Sequence, residues 1–206
     1  MLAEILDRLA PSVPPRARMA GAAIFVAAGL SLAACATQRQ AAPPAPDPQS
    51  LMPALEQRIA LLVEEERERT DARAQPLAID PELTRIARER SQDMARKNYF
   101  AHAAPDGQTS ASLLMDEDPR FQGLLGENLA AEHYVKSAPL DVNATARSIV
   151  DQWLKSPRHR ENLALADYAL TGVGAAANGD TIYVTELFAA GLATDGPGEA
   201  APGDPK

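Results

Sequence analysis

Apolar residues recur at helical spacing in three stretches of the chain. The first stripe follows Ser50, the expected N-cap, and comprises Leu51, Leu55, Ile59, Leu62 and Val63. We expect the charged run 64–69 behind it to face solvent. Asp80 followed by a proline is a typical helix start, because the first helical residue needs no backbone N–H partner. A third stripe follows Asp141, and Pro157 is expected to end that helix.

The apolar period changes from helical to alternating near the C-terminal end. The segment TIYVTELF, residues 181–188, alternates, so one side of this strand carries every second residue: Ile182, Val184, Glu186 and Phe188. The segment LTGVGAAA precedes it at 170–177. Between the two, Asn178-Gly179 predicts a type I′ hairpin turn. Helices followed by an antiparallel hairpin indicate a layered α+β domain.

The N-terminal end has the layout of a bacterial lipoprotein signal. Two arginines precede an apolar run, residues 19–34, which is too short and alanine-rich for a membrane span. The run leads into Leu-Ala-Ala-Cys, which resembles a lipobox. We interpret residues 1–34 as a signal peptide and Cys35 as the lipidated, palmitate-carrying first residue of the mature protein. The alternatives are an uncleaved signal anchor and a buried cysteine that acts as a small hydrophobe.

Two segments lack the apolar periodicity of a folded domain. Residues 35–49 are rich in Pro and Ala and predict an extended tether, and residues 193–206 predict a disordered acidic tail. The folded domain is therefore expected at 50–192, as a monomer. No aspartate follows the cysteine, which favours anchoring in the outer membrane with the domain facing the periplasm.

Composition and charge narrow the classes of partner. The chain has 206 residues, of which 46% are hydrophobic and only 4% aromatic, so aliphatic side chains must build most of the core. The formal net charge is −8, whereas binding to phosphate backbones needs a basic face. We therefore expect no nucleic-acid partner.

Two histidines and one glutamate stand in distinctive settings. His102 and His159 each follow a predicted helix, and Glu127 interrupts an apolar run in the segment GLLGENLA. Burying an isolated carboxylate is costly, so Glu127 is expected to meet polar partners. We expect Asn128 to satisfy backbone groups of the loop that presents Glu127.

The segments around these residues resemble the CAP superfamily, which contains cysteine-rich secretory proteins, antigen 5 and plant pathogenesis-related proteins. Four segments occur in the order typical of that superfamily, between about Leu55 and Phe188: YFAH, GENLA, a tryptophan followed by SPRHREN, and GVGAA followed by YVTELF. The similarity is to the disulfide-free bacterial branch. It implies a three-layer α-β-α sandwich with a mainly antiparallel central sheet and an open cavity.

The resemblance assigns three residues of this chain to the lining of that cavity: His102, Glu127 and His159. The family's second cavity glutamate falls on Ser156 here, so the usual four residues become three. Two other carboxylates, Glu161 and Glu186, are candidates to replace it. Glu186 is the better one, because its strand face is otherwise apolar.

Cofactor chemistry remains open at this point. Two histidines and one glutamate are the ligand set of several catalytic zinc sites, so His102, His159 and Glu127 are candidate ligands for a divalent metal such as zinc. Alternatively, both histidines are neutral, bond to the glutamate and only hold loops in place.

Three functions follow from these alternatives. The first is a lipid-anchored, extracytoplasmic module that binds a small apolar molecule, an envelope glycan or a protein. The second is a metal-assisted hydrolase acting on envelope material. The third is a purely structural envelope lipoprotein.

A Ser/His hydrolase built on Ser110 or Ser156 is disfavoured, because the chain lacks the Gly-x-Ser-x-Gly elbow.

Overall fold

The computed structural model describes residues 46–71 and 74–191. After a short 3₁₀ turn at Pro48–Leu51, this part contains five α-helices: α1 (Met52–Thr70), α2 (Pro81–Lys97), α3 (Ser110–Glu117), α4 (Val142–Lys155) and α5 (Pro157–Ala164). It also contains four strands: β1 (Ala78–Ile79), β2 (Gly123–His133), β3 (Leu170–Asn178) and β4 (Thr181–Gly191). None of the described helices is long and apolar enough to cross a membrane. The predicted signal peptide, Cys35 and the acidic tail lie outside the described residues.

The four strands form one sheet in the order β1-β3-β4-β2. The short β1 runs parallel to β3, whereas β3 with β4 and β4 with β2 are antiparallel. The predicted α+β class and the mainly antiparallel sheet are therefore confirmed.

Helices cover both faces of the sheet. One face packs against α1, α4 and α5, and the other packs against α2 and α3. Along β4, Val184 and Phe188 belong to the first core, whereas Leu187 and Ala189 belong to the second. This alternation is the one predicted from the sequence, and it produces the three layers that the resemblance implied.

The helix starts predicted at Asp80 and after Asp141 are confirmed, and both residues cap their helices. The Asp80 carboxylate accepts a hydrogen bond from Leu83 N at 2.8 Å, and the Asp141 carboxylate accepts one from Ala144 N at 3.0 Å. The prediction for Ser50 is wrong. Asp47 caps the 3₁₀ turn instead, and the Ser50 hydroxyl donates to the Asp47 carbonyl at 2.6 Å.

The predicted solvated end of the first helix is wrong at Arg67. Helix α1 continues to Thr70, and the Arg67 side chain is 1% exposed. Its guanidinium donates to the carbonyls of Leu163 and Leu165, both at 2.9 Å. A long cationic side chain is therefore buried because backbone carbonyls at the end of α5 and directly after it accept its hydrogen bonds.

The predicted hairpin turn also needs correction. Asn178 pairs with Thr181, so the hairpin loop is Gly179-Asp180, one residue later than predicted. Gly179 has φ 66°, and among the described non-glycine residues only Asn98 has a positive φ. The turn is therefore not type I′, and glycine at its first position matches type II′. The prediction that the third helix ends before Pro157 is confirmed, since α4 ends at Lys155, and Pro157 is the first residue of α5.

Candidate functional site

We expected Glu127 in a loop, but it lies within strand β2. It pairs with Leu187 of β4, whose side chain belongs to the core under α2 and α3. The side chain of Glu127 is only 13% exposed. A Cβ on the preceding Gly126 would overlap the hydroxyl of Tyr168. The glycine of the Gly-Glu-Asn motif therefore makes room for a neighbouring aromatic side chain.

Both carboxylate oxygens of Glu127 have partners. His102 Nδ1 lies 2.5 Å from Oε1, and the Ser110 hydroxyl donates to Oε2. Ser110 is the first residue of α3, whose Thr109 N-cap fixes the start of the helix. The side chain of His102 is 64% exposed. The glutamate is thus nearly buried and satisfied, while its histidine partner faces solvent.

A buried arginine holds the loop that carries His102. Arg90 of α2 has no exposed surface, and it donates to the carbonyls of Ala101 and His102 at 3.3 and 3.0 Å. It also donates to the Tyr99 hydroxyl at 3.0 Å. Asn98, with φ 53°, ends α2 in the left-handed conformation and turns the chain toward this loop. The position of His102 is therefore fixed by α2.

A second network fixes the segment that carries His159. Asn128 has no exposed surface, and its Nδ2 donates to the His159 carbonyl at 3.2 Å. Asn162 Nδ2 donates to Asn128 Oδ1 at 2.8 Å and to the Glu127 carbonyl at 3.1 Å. The amide of Asn128 thus satisfies backbone as expected, but in α5 and not in its own segment.

His159 lies close enough to His102 for their charges to interact. Burial lowers the pKa of the His159 imidazole, and the nearby charge of His102 lowers this pKa further. Among the described residues, no hydrogen bond joins His159 to Glu127. The site therefore contains a bonded His102–Glu127 pair, with a second imidazole beside it whose neutral form is favoured.

The two candidate replacement carboxylates do not join this pair. Glu186 is fully buried on the other face of the sheet, paired across the strands with Asn128, and Thr171 Oγ1 donates to it at 3.2 Å. Burial raises the pKa of Glu186 to about 8, although the Thr171 hydroxyl and Arg67 oppose this shift. Glu161 is exposed on α5.

Sequence reasoning missed the residues that support the site. Arg90 and Asn162 carry no signal of their role, because each acts on a carbonyl that is distant along the chain. Ser110 was weighed only as a nucleophile, whereas its hydroxyl donates to Glu127. Ser156 lies between α4 and α5 and makes no side-chain cap.

The predicted three-residue metal site does not assemble in this arrangement. Among the described residues, no three His, Cys, Asp or Glu side chains are placed to hold one metal ion together. The Nδ1 atom of His102 and both oxygens of Glu127 already have partners. The donor set of two imidazoles remains compatible with a cation through the other ring nitrogens, and metal binding stays a prediction.

A family model and several relatives match this chain. The model of the cysteine-rich secretory protein family, CAP, matches residues 64–189. The protein YkwD of Bacillus subtilis is 30% identical over 125 residues, which are 61% of this chain and 44% of that protein.

Solved structures show the same fold. An extracellular protein from Bacillus anthracis that contains an SCP domain is 31% identical, with a TM-score of 0.56 over 72% of this chain and 45% of that one. An outer surface protein of Borrelia burgdorferi is 22% identical, with a TM-score of 0.55 over 67% of this chain and 93% of that one. The chain spans less than half the length of both Bacillus relatives.

Proposed function

The chain belongs to the CAP (cysteine-rich secretory protein) family, since the family model covers more than half of it, and from this premise we propose an extracytoplasmic binding module. The observation that carries the proposal is the 2.5 Å contact between His102 Nδ1 and Glu127 Oε1. A carboxylate that accepts from Nδ1 leaves the other ring nitrogen, Nε2, as an acceptor or metal ligand on the solvent side. The ligand is a small apolar molecule, an envelope component or a protein that presents a hydrogen-bond donor or a bound cation to that nitrogen.

A divalent metal is part of the proposal in a changed role for Glu127. His102 and His159 would hold the cation, and Glu127 would orient His102 instead of coordinating. A carboxylate behind a ligating histidine fixes its tautomer and raises its basicity. The lowered pKa of His159 favours the neutral imidazole, the form that binds metals.

Zinc titration of histidine variants tests this role. We expect the chain to bind about one equivalent of zinc by calorimetry, and His102→Ala/His159→Ala to lose it with at least a roughly tenfold drop in affinity. The matched control is His133→Ala, because His133 is exposed at the end of β2 and bonds Thr181 instead. Equal loss in the control, or undiminished zinc binding in the double variant, would contradict the metal proposal.

Serine-based hydrolysis gains no support from the site. The Ser110 hydroxyl donates to a carboxylate and not to a histidine, so the proton transfer of a Ser/His pair has no starting geometry. A metal-assisted hydrolase and a purely structural envelope lipoprotein remain the alternatives. Turnover of envelope material that is lost in the histidine double variant would favour the enzyme.

We also propose that lipidated Cys35 anchors the module to a membrane, with the outer membrane facing the periplasm as the expected place. The support is the Leu-Ala-Ala-Cys segment at the end of an apolar run and a relative described as extracellular. Cys35→Ser should move the protein from the membrane pellet to the soluble fraction. Retention in the pellet would count against lipidation.

A further inference from the structure

An apolar groove lies at the β1 edge of the sheet, whereas Glu127 lies in β2 at the opposite edge. The volume of the groove is about 440 Å³, within the range of small-ligand sites. The apolar part of its wall comes from α1, β1, β3 and the segment before β1: Pro53, Ala60, Leu61, Leu77, Ile79 and Val173. Leu61 and Ile79 are 52% and 59% exposed. Two large aliphatic side chains therefore border a space that the chain does not fill.

The floor of the groove contains a strand edge. On one side of Val173, Asp80 N donates to Thr171 O at 2.8 Å; on the other, Ala175 N donates to Glu56 Oε1 at 3.0 Å. Alternate residues of an antiparallel strand turn their N–H and C=O groups to the same side. The backbone groups of Val173, a residue that is 3% exposed, therefore point to the same edge of β3 as those of Thr171 and Ala175. Among the described residues, no side chain or neighbouring strand pairs with them on that side.

The charges at the groove disfavour an anionic ligand. Its lining contains two carboxylates, Glu56 and Glu64, and one guanidinium, Arg88. Arg88 is committed to Glu56, with Nε at 2.9 and 3.1 Å from the two oxygens. A carboxylate or phosphate head group would find no uncommitted cation among the lining residues and would face Glu64. A neutral or basic ligand fits this balance.

We propose that this groove binds an extended apolar peptide segment of a partner protein, either uncharged or with one basic side chain. The peptide backbone pairs with Val173 as an added strand would, its apolar side chains pack on Leu61 and Ile79, and its basic side chain lies near Glu64. A free acyl chain would fill the apolar volume but leave the Val173 backbone unpaired. This site is separate from the His102–Glu127 pair and does not depend on the function proposed for it.

Peptide titration of the full-length chain tests the proposal. The probe is an acetylated and amidated peptide, Val-Leu-Lys-Val, followed by amide NMR shifts, and dodecanoate is the competing probe. We expect the peptide to shift the Val173 and Ile79 resonances. Leu61→Lys should weaken binding about tenfold or more, because it removes apolar contact area and repels the basic side chain.

The matched control is Leu124→Lys, because Leu124 is also about half exposed, at 49%, but lies in β2 at the other edge. It should change peptide affinity less than about twofold. Ile79→Lys provides a second groove variant at an exposed position, and thermal unfolding checks that all three variants fold. Three results would overturn the proposal: dodecanoate shifting Val173 while the peptide does not, equal weakening by Leu61→Lys and Leu124→Lys, or Val173 resonances that change when residues 36–45 of the chain are deleted.

Discussion

Glu127 is tolerated in an apolar strand because its carboxylate oxygens and its carbonyl all have hydrogen-bond partners. His102 and Ser110 occupy its carboxylate, and Asn162 donates to its carbonyl at 3.1 Å. Glu186 is the opposite case on the other face of the same sheet, since its Oε2 is buried without a hydrogen-bond partner. The two carboxylates show that environment, and not residue type, decides which buried acid has all its oxygens hydrogen-bonded.

Glu186 predicts a pH dependence of stability. Its pKa rises from 4.5 in the unfolded chain to about 8 when folded, so the folded protein holds a proton that the unfolded chain loses between these values. This contribution is therefore fully present below about pH 4.5 and is lost as the pH rises toward about 8. Glu186→Gln should remove this decline and raise the free energy of unfolding at about pH 9 by roughly 1 to 3 kcal/mol relative to wild type.

Urea unfolding at about pH 5 and about pH 9 measures this difference. Glu161→Gln is the control, because Glu161 is an exposed carboxylate on α5. Identical pH profiles for wild type and Glu186→Gln would show that the buried carboxyl does not hold its proton.

Helix α2 controls the site because it packs directly on the sheet. Its backbone passes so close to β3 that a Cβ on Gly172 would overlap Leu83 and Thr84, and one on Gly174 would overlap Ala87. The same helix supplies Arg90, which holds the carbonyls of the His102 loop. Close packing of α2 on β3 and the placement of His102 are therefore linked.

Gly174→Ala should force α2 away from the sheet. We expect a loss of about 2 kcal/mol or more in the free energy of unfolding, because the added methyl group meets backbone and not a flexible side chain. The comparison is Gly107→Ala, where the Cβ meets nothing within 4 Å and only the φ of 90° is unfavourable, at about 1 kcal/mol. Denaturant unfolding of both variants checks the order, and a smaller loss for Gly174→Ala would contradict the close approach.

For the whole molecule, apolar periodicity and helix caps predicted individual helices and strands better than the contacts between distant segments. The apolar stripes after Asp80 and Asp141 correctly predicted α2 and α4, because each helix start depends on an aspartate cap next to it in the sequence. Strand β2 was missed because its apolar run does not alternate, being buried on both faces in its middle. The burial of Arg67 was missed because three of its four carbonyl acceptors lie about 100 residues away along the chain.

The candidate site, like the fold, was predicted only in part. The pairing of His102 with Glu127 was implied by the family resemblance, and the structure brings these two side chains together. The separation of Glu186 from them was not foreseen, because β2 was not predicted and its register with β4 places Glu127 and Glu186 on opposite faces of the sheet.

The central claim is that Glu127 orients His102 by accepting from its Nδ1 atom. Long-range ¹H–¹⁵N NMR of the three imidazole rings measures this directly. In wild type we predict a hydrogen on His102 Nδ1 that is donated to Glu127, and in Glu127→Ala a shift to the Nε2 tautomer that dominates in free histidine. A His102 ring that carries its hydrogen on Nε2 in the wild-type protein, or that is unchanged in Glu127→Ala, would contradict the account.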